Sequence, residues 1–194
     1  MPWQDFIVYW RFCLSTNCPA PVQTGKRPMK PLIIVSLALL VAASYAADSN
    51  FAAEFGKRWT RTRPLAVGVA QAMPPVQYAF RPDPGSMSFA EQITHVAQTN
   101  YAFCAGLKDA SPPPDPSATD KDALVKYLAD SFDYCSAAIA SVTAEQMDHV
   151  HSSPDGRLNG RELLLALYVH MSHHRGQQEV YLRIKGIPPP QYVF

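Results

Sequence analysis

The sequence predicts an all-α protein, a four-helix bundle preceded by an N-terminal signal segment. Two observations carry this prediction. In four separate segments between Asp48 and Lys185, apolar residues recur at helical spacing, and proline-rich stretches separate several of these segments. No segment shows the convincing alternation of apolar and polar residues that is typical of a strand. Four amphipathic helices, each too short to be stable alone, are expected to bury their apolar faces together.

The N-terminal part of the chain has the anatomy of a secretory signal peptide. Basic residues precede an apolar run from Pro31 to Ala43, and Ser44-Tyr45-Ala46 resembles the small residues of a cleavage site. The apolar run is shorter than the roughly 20 residues that cross a bilayer. We therefore expect a cleaved signal, with no stable membrane span after cleavage.

Domain boundaries follow from this signal segment. A complete signal begins at Met29, so we assign residues 1–28 to a spurious N-terminal extension, residues 29–46 to the signal peptide and residues 47–194 to the bundle domain. Removal of residues 1–46 leaves 13 basic and 15 acidic residues. This balance argues against a nucleic-acid partner, which requires a basic face. The expected location of the mature chain is periplasmic or secreted.

Two cysteines remain in the expected mature chain, Cys104 and Cys135. Disulfides persist in exported proteins, and a bridge between these residues would close a loop of about 30 residues, worth roughly 3 to 4 kcal/mol. Free cysteine also behaves as a small apolar residue in a core. The sequence therefore leaves two alternatives, a disulfide bond and two separate buried thiols.

The first two helices are separated by a proline-rich connector. The first helix is expected from Asp48 to Met73, and Pro64 should kink or split it. The stretch "PPVQYAFRPDPGSMS" then predicts an extended connector of about 15 residues. Ser88 and Glu91 match the S-x-x-E capping box, which predicts the start of a second helix that ends near Leu107.

The third helix is expected to begin at Thr119, with acidic residues Asp120 and Asp122 in its first turn, and to end near Ser141. The stretch "DHVHSSPDGRL" that follows predicts a loop. Its histidines, His149 and His151, are expected at the surface because serines and a proline follow them.

The fourth helix is predicted from the pair Asn159 and Glu162, which resembles a cap and its reciprocal acid. It should run to about Lys185, because Gly186 and the prolines at 188–190 cannot continue it. This helix contains half of the histidines of the chain, within the five residues "HMSHH".

The histidines of the fourth helix raise the question of a metal site. His170 and His174 lie four residues apart in the same inward sector as Leu167, whereas His173 points away from it and should stay solvated. Such a pair can bind one metal ion with two imidazole nitrogens, although two hydrogen-bonded core histidines are the alternative. Met171 replaces the glutamate that serves as general base in H-E-x-x-H proteases, so a protease of that type is disfavoured.

His95 of the second helix is the candidate for a third ligand. It lies off the strongest apolar stripe of that helix, on the side of Thr99 and Ala102. Small residues on this side would allow another helix to approach closely. Periodicity alone does not direct His95 toward the histidine pair, so the alternatives remain open at this point.

Two sequence motifs together resemble the DinB-like family (damage-inducible protein B type). "HMSHHRGQ" followed by "YLRIKGIPPP" resembles the family signature, an H-x-x-x-H pair that runs into R-G-Q on the last bundle helix. "AMPPVQYAFRPDPGSMSFAEQITHVAQTNYAFCAGL" is similar to the family's first connector and second helix. The resemblance implies a metal-binding four-helix bundle that forms a homodimer in many members, with zinc or nickel held by His95, His170 and His174.

Three protein ligands leave coordination positions open, which is typical of a catalytic rather than a structural site. The resemblance therefore implies a metal-dependent enzyme, a transferase or a hydrolase, acting on a small-molecule substrate. Some relatives use a low-molecular-weight thiol, a class of molecule found mainly in the cytoplasm, so the expected export argues against that role. The alternative is a non-catalytic helical bundle that binds metal or a partner.

Neighbouring polar residues are expected to support the ligands. Gln177 and Gln178, about one turn after His174, and Asn100 on the second helix could hydrogen-bond the imidazoles and fix their tautomers. Arg175 points away from the ligands and should form an ion pair or a dimer contact. No carboxylate beside the ligands is evident as the base for hydrolysis, so no catalytic residue is assigned.

Overall fold

The computed structural model describes the backbone of residues 31–192 and the side chains of residues 51–192. This part of the chain is mostly helical, in agreement with the predicted all-α class. In chain order its elements are α1 (Pro31–Ala72), α2 (Phe89–Gly106), α3 (Lys121–Ala140), α4 (Ala144–Asp148), β1 (Val150–Ser153), β2 (Gly156–Asn159) and α5 (Gly160–Ile184). One turn of 3₁₀-helix, Pro75–Gln77, interrupts the connector that was expected to be extended.

Contacts divide the chain into two compact units, Met1–Leu39 and Leu40–Phe194. The first contributes only the helical backbone of residues 31–39 to the described structure. The predicted extension, residues 1–28, and the basic start of the predicted signal peptide lie outside the described residues. The signal and domain boundaries therefore stay predictions. Among the described helices, none combines the length and the apolar character that a bilayer span requires.

Four long helices, α1, α2, α3 and α5, share one hydrophobic core. Trp59 of α1 is fully buried, its ring stacks on that of Phe132 at a centroid distance of 4.8 Å, and its Nε1 donates to the Phe132 carbonyl at 3.3 Å. Burial of each large apolar side chain contributes about 1.5 to 3 kcal/mol. Other fully buried members of this core are Met73, Phe89, Ile93, Phe103, Leu107, Leu124, Leu128, Leu163 and Leu164.

Two of the predicted helix starts are confirmed in detail. At α2, the Ser88 hydroxyl accepts from the Glu91 amide, and the Glu91 carboxylate accepts from the Ser88 amide at 2.6 Å. Asn159 and Glu162 make the same reciprocal pair at the start of α5. Each box satisfies two amides that have no partner within the helix.

The predicted cap of α3 is wrong by one residue. Asp120, not Thr119, is the N-cap, and its carboxylate accepts from the Ala123 amide at 3.1 Å. Aspartate is the better cap of the two, because its charge also interacts favourably with the positive end of the helix dipole.

The helix ends are stabilised in two different ways. α5 ends as predicted, because Gly186 adopts a φ of 71° and the Ile187 amide reaches back to the Leu182 carbonyl at 2.9 Å. The end of α1 is held from α3, since Lys121 Nζ donates to the carbonyls of Gln71 and Met73 at 2.7 and 2.9 Å. α1 also continues through Pro64, so the expectation of a split there is wrong.

A short helix and a hairpin replace the loop expected at "DHVHSSPDGRL". The capping box of Thr143 and Gln146 begins α4, and β1 then pairs with β2 in antiparallel register, with Ser153 opposite Gly156. Gly156 has a φ of 102°, a conformation that glycine adopts at little cost. The turn sequence S-P-D-G was the available signal, but strands of four residues are too short to show an alternating pattern.

The expectation that His151 lies at the surface is also wrong. Only 1% of this residue is exposed, and both of its ring nitrogens have partners, whereas His149 is exposed as expected. Burial follows from the hairpin, because alternate residues of a strand face the protein.

A disulfide bond between Cys104 and Cys135 joins α2 to α3 inside the core. Both residues are fully buried, and their Cα atoms lie 5.3 Å apart. This confirms the first of the two alternatives that the sequence left open. The bridge joins two helices that also pack against each other. It therefore keeps α2 and α3 close together in the unfolded chain and reduces the entropy that the chain loses on folding.

Loss of this bridge is expected to lower the free energy of unfolding by roughly 3 to 4 kcal/mol, because it closes a loop of about 30 residues. Denaturation of a Cys104→Ala/Cys135→Ala variant and of the wild type, both without reductant, measures the difference. Reductant should destabilise the wild type and leave the variant unchanged. Two thiols that titrate freely in unreduced, denatured wild-type protein would contradict the bridge.

Candidate metal site

Three histidines from two helices lie together between α2 and α5. The nitrogens that could bind a metal all lie within 4.8 Å of one another in the group His95, His170 and His174. The Nε2 atoms of His95 and His170 are 3.1 Å apart. The three ring centroids are separated by 4.5 to 4.9 Å, so each ring contacts both of the others. His95 and His170 are half-buried residues.

The two helices present these residues for different reasons. On α5, the inward direction of His170 and His174 follows from the apolar residues that share their sector, as predicted. On α2, His95 faces α5 because the buried part of this helix surface is wider than the stripe of apolar residues along it. The polar residues Gln92 and Thr99, which flank His95 on that arc, are also buried. Apolar periodicity missed this second face because it is largely polar.

Burial keeps the three imidazoles neutral. It lowers the pKa of His170 and of His174 to about 4, with a further contribution from the neighbouring histidines, and it also lowers the pKa of His95. A neutral imidazole is the form that binds a metal ion. At neutral pH the site therefore needs to release few protons when a cation binds.

Gln92 fixes the tautomer of His174, a contact that the sequence did not predict. The His174 Nδ1–H donates to Gln92 Oε1 at 2.7 Å, so the lone pair of the ring lies on Nε2. Gln92 Nε2 donates in turn to Gln177 Oε1 at 2.9 Å. Gln177 is therefore linked to His174 through one intermediate residue, and its support of a metal ligand stays a prediction. The spacing of Gln92 three residues before His95, on the same helix face, was the only signal.

The other predicted supporting residues lie elsewhere. Asn100 donates from Nδ2 to Ser131 Oγ of α3 at 3.1 Å, so it does not orient a ligand. Gln178 is buried, and its Nε2 has no hydrogen-bond partner among the described residues. Helical periodicity predicts the direction in which a side chain points from the helix axis, but it does not predict which atoms the side chain contacts. It therefore placed both residues beside the imidazoles.

Arg175 and His173 lie as the sequence indicated. Arg175 forms an ion pair with Glu179 at 2.7 Å, and its guanidinium lies 4.9 Å from the ring centre of Tyr192. His173 is exposed and accepts a hydrogen bond from Gln177 at 3.0 Å. The predicted ion pair of Arg175 is therefore confirmed.

The residues present fit a divalent metal ion. Three neutral nitrogen donors suit zinc and nickel. His170 Nδ1 is buried and has no partner among the described residues, and its Nε2 faces the other two rings. The facing Nε2 atoms of neutral imidazoles satisfy one another poorly, whereas a shared cation would satisfy both of them. Ligation itself stays a prediction.

Two cavities reach the histidines from the side of the connector. The larger, about 880 Å³, opens on His95, and the smaller, about 390 Å³, opens on His174. Ser86 and Met87 of the connector line both cavities, and Tyr181 Oη holds this segment by donating to the Met87 carbonyl at 2.9 Å. A small molecule could therefore approach the site from either side of the connector.

Glu91 lines the larger cavity one helical turn before His95, so a carboxylate does lie in this region. The Ser88 amide, with further help from the Ser88 hydroxyl and Arg81, lowers the pKa of this carboxyl. A carboxylate held in this way is a weak proton acceptor, and it is committed to the helix cap. Glu91 is therefore a poor candidate for a general base.

The sequence and the fold are both similar to those of known proteins. The family model of the DinB superfamily matches residues 58–178, a range that includes all three histidines. The uncharacterized protein YjoA of Bacillus subtilis (strain 168) is 27% identical over 117 residues, which cover 56% of this chain and 74% of YjoA.

Two crystal structures share the fold. A DinB-like protein of Bacillus subtilis, YjoA, superposes with a TM-score of 0.61 at 25% identity, over 73% of this chain and 96% of that chain. A DinB-like protein of Bacillus cereus ATCC 10987 has a TM-score of 0.60 at 16% identity, over 72% of this chain and 95% of that chain. The second likeness concerns the fold alone.

The metal-free protein is expected to lose stability as the pH falls from about 6.5 to about 4. The pKa of His170 and of His174 is about 4 in the folded protein and near 6.5 in the unfolded chain. Within this window the unfolded state binds more protons, so its free energy falls relative to the native state, whereas above it neither state gains protons. Urea denaturation at stepwise pH measures this. A His170→Gln/His174→Gln variant that shows the same decline would contradict it.

Replacement of Gln92 by methionine is expected to weaken zinc binding about 10- to 100-fold, because His174 loses the acceptor that fixes its tautomer. Competition titration with a chromogenic zinc chelator gives the affinity. Gln98→Met, a matched change on the same helix whose side chain bonds Asp115 instead, should bind zinc like the wild type. Equal affinities of the two variants would show that Gln92 does not position the ligand.

Proposed function

The chain belongs to the DinB superfamily, and from this premise we propose that it binds one divalent transition-metal ion, zinc or nickel, through His95, His170 and His174. The observation that carries the proposal is the convergence of three neutral imidazoles from two helices. The lowered pKa values and the hydrogen bond from His174 to Gln92 support it, because both favour the metal-binding form of the rings.

We further propose that the protein is a metal-dependent enzyme acting on a small molecule. A divalent ion supplies positive charge that polarises a carbonyl or lowers the pKa of a coordinated water or thiol. Three protein ligands leave room for such a group, and the 880 Å³ cavity beside His95 lies within the size range of small-molecule sites. The lining combines apolar surface with polar groups of Thr94 and Gln98, which would orient the substrate.

Both reaction classes, group transfer and hydrolysis, belong to this proposal. A hydrolase of this kind would rely on the metal to acidify its bound water, because Glu91 is held as a weakly basic carboxylate by Ser88 and Arg81. A transferase would use the same positive charge to ionise a coordinated thiol, but the proposed export argues against a low-molecular-weight thiol of the cytoplasm. The proposed role of the described residues is therefore to bind, orient and shield the reactants.

Export is part of the same proposal. The signal-like segment, residues 29–46, and the Cys104–Cys135 bridge both support a periplasmic or secreted location, because disulfides persist in oxidising compartments. N-terminal sequencing of protein recovered from its native compartment tests this. A mature chain that begins at Ala47 is the expected result, and one that retains residues 29–46 would contradict export.

Turnover tests the enzymatic part. Protein stripped with a chelator is assayed on chromogenic esters and on electrophiles with thiol acceptors, before and after addition of zinc or nickel. Activity that returns with the metal supports the enzyme, and the class of substrate that is turned over distinguishes a transferase from a hydrolase. Tight metal binding without turnover on either class would contradict it and favour a non-catalytic helical bundle that binds metal or a partner.

The variant His174→Ala is expected to lose one equivalent of bound metal and to keep its helical circular dichroism, because the packed core and not the ion holds the helices together. Elemental analysis after gel filtration measures the metal content. His173→Ala removes an exposed histidine one residue away and should retain the metal. Unchanged metal content in His174→Ala would refute the assignment of the ligands.

A further inference from the structure

A second cluster of potential metal ligands lies where the hairpin meets the end of α2. It consists of Asp109 in the turn after α2, His149 at the end of α4 and His151 in β1. Their ligand atoms all lie within 4.8 Å of one another. This cluster shares no residue with the three-histidine site or with the two cavities that reach it.

Glycines bring the three segments of this cluster together. A Cβ atom at Gly106 would lie 2.4 Å from the Ser152 carbonyl oxygen, so only glycine lets β1 lie this close to α2. A Cβ atom at Gly160 would lie 2.7 Å from the Gln146 carbonyl oxygen, which sets α4 against the start of α5. Both contacts involve backbone atoms, which cannot move aside as a flexible side chain can.

The backbone then aims the three side chains at one another. His149 has an extended conformation and His151 follows it by two residues in β1, so their side chains project to the same side. Asp109 has a φ of 49°, the left-handed conformation, which aspartate tolerates better than most residues. This turn brings its carboxylate to His151.

His151 stands between two hydrogen-bond acceptors. Its Nε2 is 2.6 Å from the Gln146 carbonyl oxygen, and its Nδ1 is 3.1 Å from Asp109 Oδ1. A carbonyl oxygen only accepts, so Nε2 carries the hydrogen. In a neutral ring, Nδ1 then points a lone pair at the carboxylate. Two facing acceptors repel unless a cation or a second proton lies between them.

The surroundings favour a metal ion over a second proton. A metal-binding histidine characteristically donates its other N–H to a backbone carbonyl, as His151 does to Gln146. The 3.1 Å between Nδ1 and Oδ1 approaches the separation of two ligands that each bind one ion at about 2.0 to 2.2 Å. An ion pair between Asp109 and His151 would not involve His149, yet the ring centroid of His149 lies 5.0 Å from that of His151.

We propose that Asp109, His149 and His151 form a second site for a divalent transition-metal ion, for which zinc is the best match to two imidazoles and one carboxylate. Asp109 and His149 are exposed, so the ion can enter from solvent, while the buried His151 anchors it. The ion ties the hairpin to the end of α2. The site is structural in character and does not depend on the three-histidine site.

Metal stoichiometry in paired variants tests this proposal. Zinc and cobalt are titrated into chelator-treated full-length protein, and into Asp109→Asn/His149→Gln, His170→Gln/His174→Gln and the combination of all four changes. We expect two equivalents in the wild type, one in each double variant and none in the combination. The residues changed at the second site are exposed, so these variants should fold. Asp155→Asn/His173→Gln, which alters an exposed acid of the hairpin turn and an exposed histidine of α5, should keep both equivalents.

Histidine nitrogen NMR separates the metal site from an ion pair. In His170→Gln/His174→Gln protein, zinc is expected to shift the His151 Nδ1 signal while Nε2 keeps its hydrogen. A His151 ring that carries two hydrogens and does not respond to zinc would overturn the proposal. So would a wild type with one equivalent, a second equivalent that survives Asp109→Asn/His149→Gln, or saturation that requires millimolar zinc and therefore reflects adventitious binding only.

Discussion

The structure depends on the burial of two opposite faces of α2. His95 and Cys104 are nine residues apart, so they point in nearly opposite directions from the helix axis. On the Cys104 side, the disulfide to Cys135 and the bond from Asn100 to Ser131 hold α2 against α3. On the His95 side, Gln92 and the imidazole rings face α5. The geometry of the three histidines thus inherits its rigidity from a helix that is covalently tied on its other side.

The candidate site places polar groups where a core would otherwise place apolar ones. Three imidazoles lose part of their hydration and gain few partners within the protein, which is the physical reason for the low pKa of His170 and of His174. Among the residues whose side chains are described, Gln92, itself held by Gln177, orients the His174 ring. Burial of these rings costs free energy in the protein alone. Binding of a cation would offset this cost, because the neutral, oriented nitrogens would then coordinate it.

The hairpin is small, but it positions titratable side chains at one end of a helical structure. β1 and β2 have only four residues each. Close backbone contacts at Gly106 and Gly160 nevertheless pack β1 against α2 and α4 against the start of α5. His151 is buried as a result, and its two ring nitrogens lie against the Gln146 carbonyl of α4 and the Asp109 carboxylate in the turn after α2. The connector of residues 74–88 has the corresponding role at the candidate metal site, where it borders the cavities beside His95 and His174.

The sequence by itself determined the features that depend on neighbouring residues. The capping boxes at Ser88 and Asn159, the end of α5 at Gly186 and the inward sector of His170 and His174 all result from contacts within a few turns of one helix. Tertiary structure alone decided the direction of His95, the role of Gln92, the disulfide bond and the burial of His151. Each of these depends on which element packs across from the residue, and on how closely the backbones approach. Periodicity along a single segment contains no information about that distance.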